Sequence, residues 1–136
     1  MADERKTVWV VDDTEGVITM LKIKSKVAGL PVDYVEYKTA ASAIAALGNK
    51  DVVQPDKIIS DYNIEGNGDG IRVVEAAKEK GIPTILISST ADVKKEAEKL
   101  GVPFFEKDRT GSHIPKLLEE VKKMLPESNL KNAPSR

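Results

Sequence analysis

Asp12 and Asp13 stand side by side after a short β-branched and aromatic run, residues 7–11 (TVWVV). Asp61 follows a second such run, 57–60 (KIIS); Ser88 closes a third, 84–88 (TILIS); Lys107 follows a fourth, 103–106 (PFFE). Three carboxylates gathered into one crevice repel one another, and a hard divalent cation is the usual remedy. Mg²⁺ takes oxygen ligands, keeps several waters, and needs few carboxylates besides a phosphate oxygen. Three carboxylates, one Mg²⁺ and Lys107 together come close to neutral, so such a pocket can take a phosphoryl group while the metal and the lysine spread its charge. Asp61 is the candidate nucleophile, because a carboxylate that attacks phosphorus gives an acyl phosphate. Asp12 and Asp13 are candidate metal ligands, and Asn63, two residues past Asp61, offers its backbone carbonyl to the same ion. Ser88 carries a short hydroxyl suited to a phosphoryl oxygen. Lys107 is a compact cation on a long stem, suited to phosphate or to the unmodified Asp61.

These residues need elements to position them. The runs 7–11, 57–60, 84–88 and 103–106 read as strands, and 32–37 (VDYVEY), which alternates loosely, reads as a fifth nearer an edge. Between them lie stretches with helical spacing at 15–28, 39–47, 71–80 and 91–100, and a last one at 114–125 with Ile114, Leu117, Leu118, Val121, Met124 and Leu125 on one stripe. Thr14 reads as the cap of the first helix; Gly29, Gly48, Gly81 and Gly101 stop four of the helices. Residues 64–70 hold Gly66, Gly68 and Gly70 and read as a loop. Strands alternating with helices imply parallel βαβ units and a sheet covered on both faces. The expected architecture is an α/β, flavodoxin-like (βα)5 sandwich with strand order 2-1-3-4-5, whose ligands sit at the carboxyl ends of the strands.

Composition narrows the chemistry. A chain of 136 residues is the size of one domain. It has no cysteine and one histidine, which excludes thiolate zinc sites, iron–sulfur clusters, a thiol nucleophile and multi-histidine metal sites. Lys+Arg (21) nearly balances Asp+Glu (22), so no bulk charge drives the chain to nucleic acid or anionic lipid. No stretch approaches the ~20 apolar residues that span a bilayer, and the first residues lack a secretory core. The expectation is a cytoplasmic protein, with residues 126–136 a polar tail or the start of a linker.

The ordered series Val10-Val11-Asp12-Asp13, Ile58-Ile59-Ser60-Asp61, Asp69-Gly70, Ile87-Ser88 and Lys107 resembles the receiver domain of two-component response regulators over about residues 5–125. One acidic pair alone is a weak signal; acid pair, aspartate, hydroxyl and lysine in order, each at a strand end, is a strong one. The resemblance implies that Asp61 is the phosphoacceptor for a sensor histidine kinase or phosphotransfer protein. It implies that Asp12, Asp13, Asp61 and the Asn63 carbonyl bind Mg²⁺, and that Ser88 and Lys107 contact the phosphoryl group. It further implies a switch in which Ser88 moves toward the phosphate and Phe104 turns inward, reshaping the face of the fourth helix, fifth strand and fifth helix for a downstream output protein. The chain is then a signalling module and not an enzyme.

The sequence departs from that pattern in places. Asp108 stands after Lys107 where the family commonly has proline, which favours a trans bond and adds a carboxylate beside the pocket. Glu65 occupies another position where proline is common, and 91–102 is short for the family. Phe104 has no hydroxyl to bond in an inward state. Blander readings stand beside the sharp ones: Asp12-Asp13 as helix-capping acids, Ser88 as a strand end with Ser89 as rival, Lys107 and His113 as surface residues, and the charged run 94–99 as a solvated face. Rival functions are a pseudo-receiver that binds partners without phosphorylation, a Mg²⁺-dependent aspartyl-phosphate phosphohydrolase and a nucleotide-binding module. The phosphohydrolase wants a general acid where this chain has Asn63. The nucleotide-binding module wants a glycine-rich turn where it has Asp-Asp-Thr-Glu-Gly.

Overall fold

The computed structural model describes residues 5–14, 16–64, 68–91, 93–108 and 110–125. The proposed tail, 126–136, and Glu65 lie outside them. Ten elements alternate along the chain: β1 (Lys6–Val11), α1 (Gly16–Val27), β2 (Val32–Tyr37), α2 (Ala40–Leu47), β3 (Lys57–Asp61), α3 (Gly70–Glu79), β4 (Thr84–Ser88), α4 (Val93–Leu100), β5 (Phe104–Glu106) and α5 (His113–Lys122). The strands form one parallel sheet in the order β2-β1-β3-β4-β5. This is the flavodoxin-like order expected, with β2 at an edge.

Side chains that alternate along each strand feed two cores. Val8 and Val10 of β1, Ile59 of β3 and Ile85 and Ile87 of β4 meet Val17, Ile18 and Leu21 of α1 and Ile114, Leu117 and Val121 of α5. Trp9 and Val11 of β1 and Ile58 of β3 face the other way, onto Ala40, Ala43, Ala46 and Leu47 of α2 and Val73 and Ala77 of α3. Leu86 of β4 meets Val74 of α3 and Val93 and Ala97 of α4. Each central strand is therefore buried on both faces, which is why its sequence is a near-continuous apolar run. Trp9 is a core residue, its ring 4.6 Å from that of Tyr37.

Local chemistry sets the ends. Thr39 caps α2, its hydroxyl accepting the Ser42 amide at 3.0 Å. Thr14 does a different job from the capping expected of it: its amide and hydroxyl both donate to Asp12 Oδ1, at 3.1 Å each. The fourth helix is short, eight residues, with Val93 and Ala97 buried and its lysines exposed. Among the described residues no peptide bond is cis, so Lys107–Asp108 is trans as expected, and no helix is long and apolar enough to cross a membrane.

Candidate functional site

Strand register brings the acids together. Val11 pairs with Ser60 across β1 and β3, so Asp12 and Asp61 emerge level at the carboxyl end of adjacent strands. Glu106 pairs with Ser88 across β4 and β5, and the Lys107 amide then donates to the Ser88 carbonyl at 2.8 Å. Lys107 thus leaves the sheet at the same end as the two aspartates.

Close packing holds this end in place. The Gly70 amide donates to the Tyr62 carbonyl at 2.9 Å. A Cβ on Gly70 would lie 2.1 Å from the Asp61 carbonyl oxygen and 2.7 Å from Tyr62 Cα. Only glycine lets α3 start so near the strand that carries Asp61. Ile64, fully buried beside Val73, ties down the other side of the loop.

Asp12, Asp13 and Asp61 each offer an oxygen, and these oxygens lie within 4.8 Å of one another. Lys107 Nζ sits 3.3 Å from Asp12 Oδ2 and 3.3 Å from Asp61 Oδ2. Asp12 is fully buried and its other oxygen holds Thr14, so both its oxygens are oriented. Burial pushes the Asp61 carboxyl above its ordinary value and Asp12 adds to this; Lys107 and the Asn63 amide pull it down but offset only part. Burial alone would lower the Lys107 ammonium, but Asp12 and Asp61 outweigh it and hold the group above its ordinary value. Lys107 is shared by two buried carboxylates, and the exposed Asp13 adds a third oxygen nearby, an all-oxygen donor set that suits a hard divalent cation.

The remaining expected residues stand at different distances from this cluster. Asn63 is exposed, and its amide donates to the Asp61 carboxylate. Ser88 is buried at the end of β4, but its hydroxyl lies 3.0 Å from Thr90 Oγ1 and accepts the Thr90 amide at 3.2 Å. It is thus engaged with its own loop. Phe104 is half-buried against Val74, Leu86, Val93 and Ala97, on the α4 side of the sheet and away from the acids. Asp108 does not face the cluster. Its carboxylate accepts the Ser112 amide at 3.0 Å, the Thr110 hydroxyl at 2.8 Å and the Ser112 hydroxyl, and these bonds hold it far below the usual carboxylate range. His113, read from the sequence as a surface residue, is buried: the first turn of α5 packs it under the Lys107–Asp108 loop. The contacts of Thr90 and His113 are with backbone groups and a hydroxyl, which leave no pattern of charge or spacing in the sequence.

No protein-family model and no curated protein matches the sequence. Solved structures do match its fold. The phosphorylated cyanobacterial phytochrome response regulator RcpA superposes with a TM-score of 0.73 at 20% identity, covering 88% of this chain and 93% of that one. The Mn²⁺-bound response regulator Rcp1 gives 0.72 at 18% identity, with the same coverage of 88% and 93%. A CheY-like receiver domain protein from Methanospirillum hungatei JF-1 gives 0.67 at 18% identity, covering 96% of this chain and all of that one (100%). The chain has the fold of response regulator receiver domains.

Proposed function

We propose that the chain is a phosphoryl-accepting receiver module. Asp61 takes the phosphoryl group from a phosphohistidine on a sensor histidine kinase or a phosphotransfer protein. The observation that carries this reading is the convergence of Asp12, Asp13, Asp61 and Lys107 at one end of the sheet, with a single ammonium 3.3 Å from two buried carboxylates. Two buried carboxylates share this one ammonium, and a cluster held only for stability would not do so, because the surplus buried negative charge is costly.

In this reading an Asp61 oxygen attacks phosphorus, the new O–P bond replaces the histidine N–P bond, and the leaving imidazole takes a proton. Lys107 stands where it can pass from the Asp61 carboxylate to an oxygen of the incoming phosphoryl group. Asp12, Asp13, Asp61 and the Asn63 carbonyl are the groups that would hold Mg²⁺. That ion, when bound, neutralises charge on the transferring group. The Mn²⁺ of Rcp1 and the phosphorylated state of RcpA, both structural neighbours, support the same assignment. The Ser88 hydroxyl must leave Thr90 to reach the phosphoryl group, and with Phe104 it would pass the change to the face of α4, β5 and α5, where an output protein binds. The chain acts as an acceptor and switch in the cytoplasm with its donor, not as an enzyme with its own substrate.

Beryllofluoride, which mimics an acyl phosphate, tests this directly. The wild-type chain should bind it only with Mg²⁺, and a small phosphodonor should add ~80 Da, the mass of a phosphoryl group, by the acyl-phosphate route. Both should vanish in Asp61→Asn. An adduct that persists in Asp61→Asn, or a wild type that stays unmodified, contradicts the assignment.

A further inference from the structure

The residue after Lys107 carries an amide hydrogen because it is aspartate; proline there would have none. That N–H donates to Nδ1 of His113 at 3.4 Å. His113 is the chain's one histidine, and at 7% exposure its ring is almost closed off from solvent. The Asp108 side chain turns the other way, onto Thr110 and Ser112. The preceding amide, that of Lys107, is held by the Ser88 carbonyl at 2.8 Å. Two consecutive amides are therefore pinned, one to β4 and one to the first residue of α5, and the lysine stem springs from between them.

We infer that His113 is a positioning residue for Lys107: by accepting the Asp108 amide it fixes the backbone from which Lys107 reaches Asp12 and Asp61. The consequence for phosphoryl binding rests on the function proposed above, while the contact itself does not. The charged groups that bear on the ring are Asp108 and Lys107 from the β5 side and Asp12 from β1. Burial holds the imidazole below its ordinary value, Lys107 acts in the same sense, and Asp108 and Asp12 oppose them. At neutral pH the ring is uncharged and Nδ1 is free to accept. Protonation would set two N–H groups against each other and break the bond.

A double-mutant cycle tests this without any ligand. His113→Leu, Lys107→Met and the pair are unfolded in urea at pH 7.5 with EDTA, and His113→Asn, whose Oδ1 can stand in for Nδ1, is measured beside them. The two sites should couple by about five-fold in the unfolding constant, the size of one neutral hydrogen bond, and Asn should restore most of it. Additive effects, or coupling that Asn does not restore, overturn the inference. In a second arm, His113→Leu should weaken beryllofluoride binding by about five-fold with Lys107 present and not at all in Lys107→Met. If the wild type fails to bind beryllofluoride while the urea coupling stands, the proposed function falls and the positioning role survives. If beryllofluoride binds normally and the coupling is absent, the reverse holds.

Discussion

Lys107→Met keeps the stem and removes the charge, so it isolates what one ammonium does between two acids. At 3.3 Å from each carboxylate, and with an effective dielectric of about 20, each contact carries a gross attraction of about 5 kcal/mol. The two carboxylates, within 4.8 Å of each other, repel by about 3.5 kcal/mol on the same scale. Desolvation cancels much of the attraction in the intact site. Removing one partner from a buried ion pair still costs about 3–5 kcal/mol, because the remaining charges stay buried without it. Lys107 keeps 21% side-chain exposure, which puts the expected loss at the lower end, about 3 kcal/mol. In a domain of this size that lowers the melting temperature by about 10 °C. The pH dependence has a definite sign. A carboxyl whose folded value is raised costs stability while ionised, and the cost fades as pH falls through that value toward the unfolded one. In the variant, Asp61 loses the cation that was pulling it down, so the deficit should shrink as pH falls from 7.5 toward the ordinary carboxyl range. In the wild type, the stabilisation from Lys107 is full below its ordinary value of 10.5 and is lost as pH rises through the higher folded value. Urea unfolding followed by the fluorescence of Trp9, the single tryptophan and a buried one, reads all of this. A loss below about 1 kcal/mol at pH 7.5, the size of an exposed pair, would refute the view of Lys107 as the cluster's essential counter-charge. So would a loss that neither acidification toward the ordinary carboxyl range nor Mg²⁺ reduces.

Gly70→Ala should cost about 3 kcal/mol or more in urea, because its Cβ would meet the Asp61 carbonyl oxygen at 2.1 Å and backbone cannot move aside cheaply. Unchanged stability would mean that the approach of α3 to β3 is looser than described. Asp61→Asn should raise the metal-free stability, since an ionised group with a raised folded value is a net cost at neutral pH. It should also blunt the metal response. Mg²⁺ at a hundred times its Kd should stabilise the wild type by about 2.7 kcal/mol, and the same concentration should do much less for the variant, as read by thermal unfolding.

The strands and their order were legible because β1, β3 and β4 are buried on both faces, which leaves apolar runs that end abruptly at polar residues, acids after β1 and in β3 and a serine in β4. The cluster followed from the same feature: once parallel order is accepted, Asp12, Asp61 and Lys107 have no other end of the sheet to occupy. Boundaries moved by one to three residues where backbone bonds decide them. Asp61 belongs to β3, and α5 closes at Lys122, with residues 123–125 held by turn bonds such as Met124 to Val121. Less visible were short-range contacts in which a backbone amide takes part. Thr14 looks like a cap because its type suits one, but the Asp12 carboxylate two residues back competes for its amide and hydroxyl and takes both. His113 looks like a surface residue because its acceptor role is toward an amide, and every residue but proline has one.

The site divides by energetic cost, and the division bears on where a switch can lie. Asp12, Asp61 and Lys107 are ions with little solvent, and moving any of them out of register exposes an uncompensated buried charge. Such groups are expensive to rearrange and are held by register, by the Gly70 packing and by the loop on His113. Ser88 is different. Its hydroxyl gives up one neutral partner, Thr90, a loss worth only about 1 kcal/mol, for a bond to the charged phosphoryl group. Phe104 is half-buried against a short helix with two buried residues, so its packing is also cheap to remodel. A phosphoryl group with differential contacts of a few kcal/mol can shift those two and cannot shift the ions. Conformational change in the proposed module therefore belongs to the β4–α4 side, with the charged cluster serving as the fixed end against which it moves.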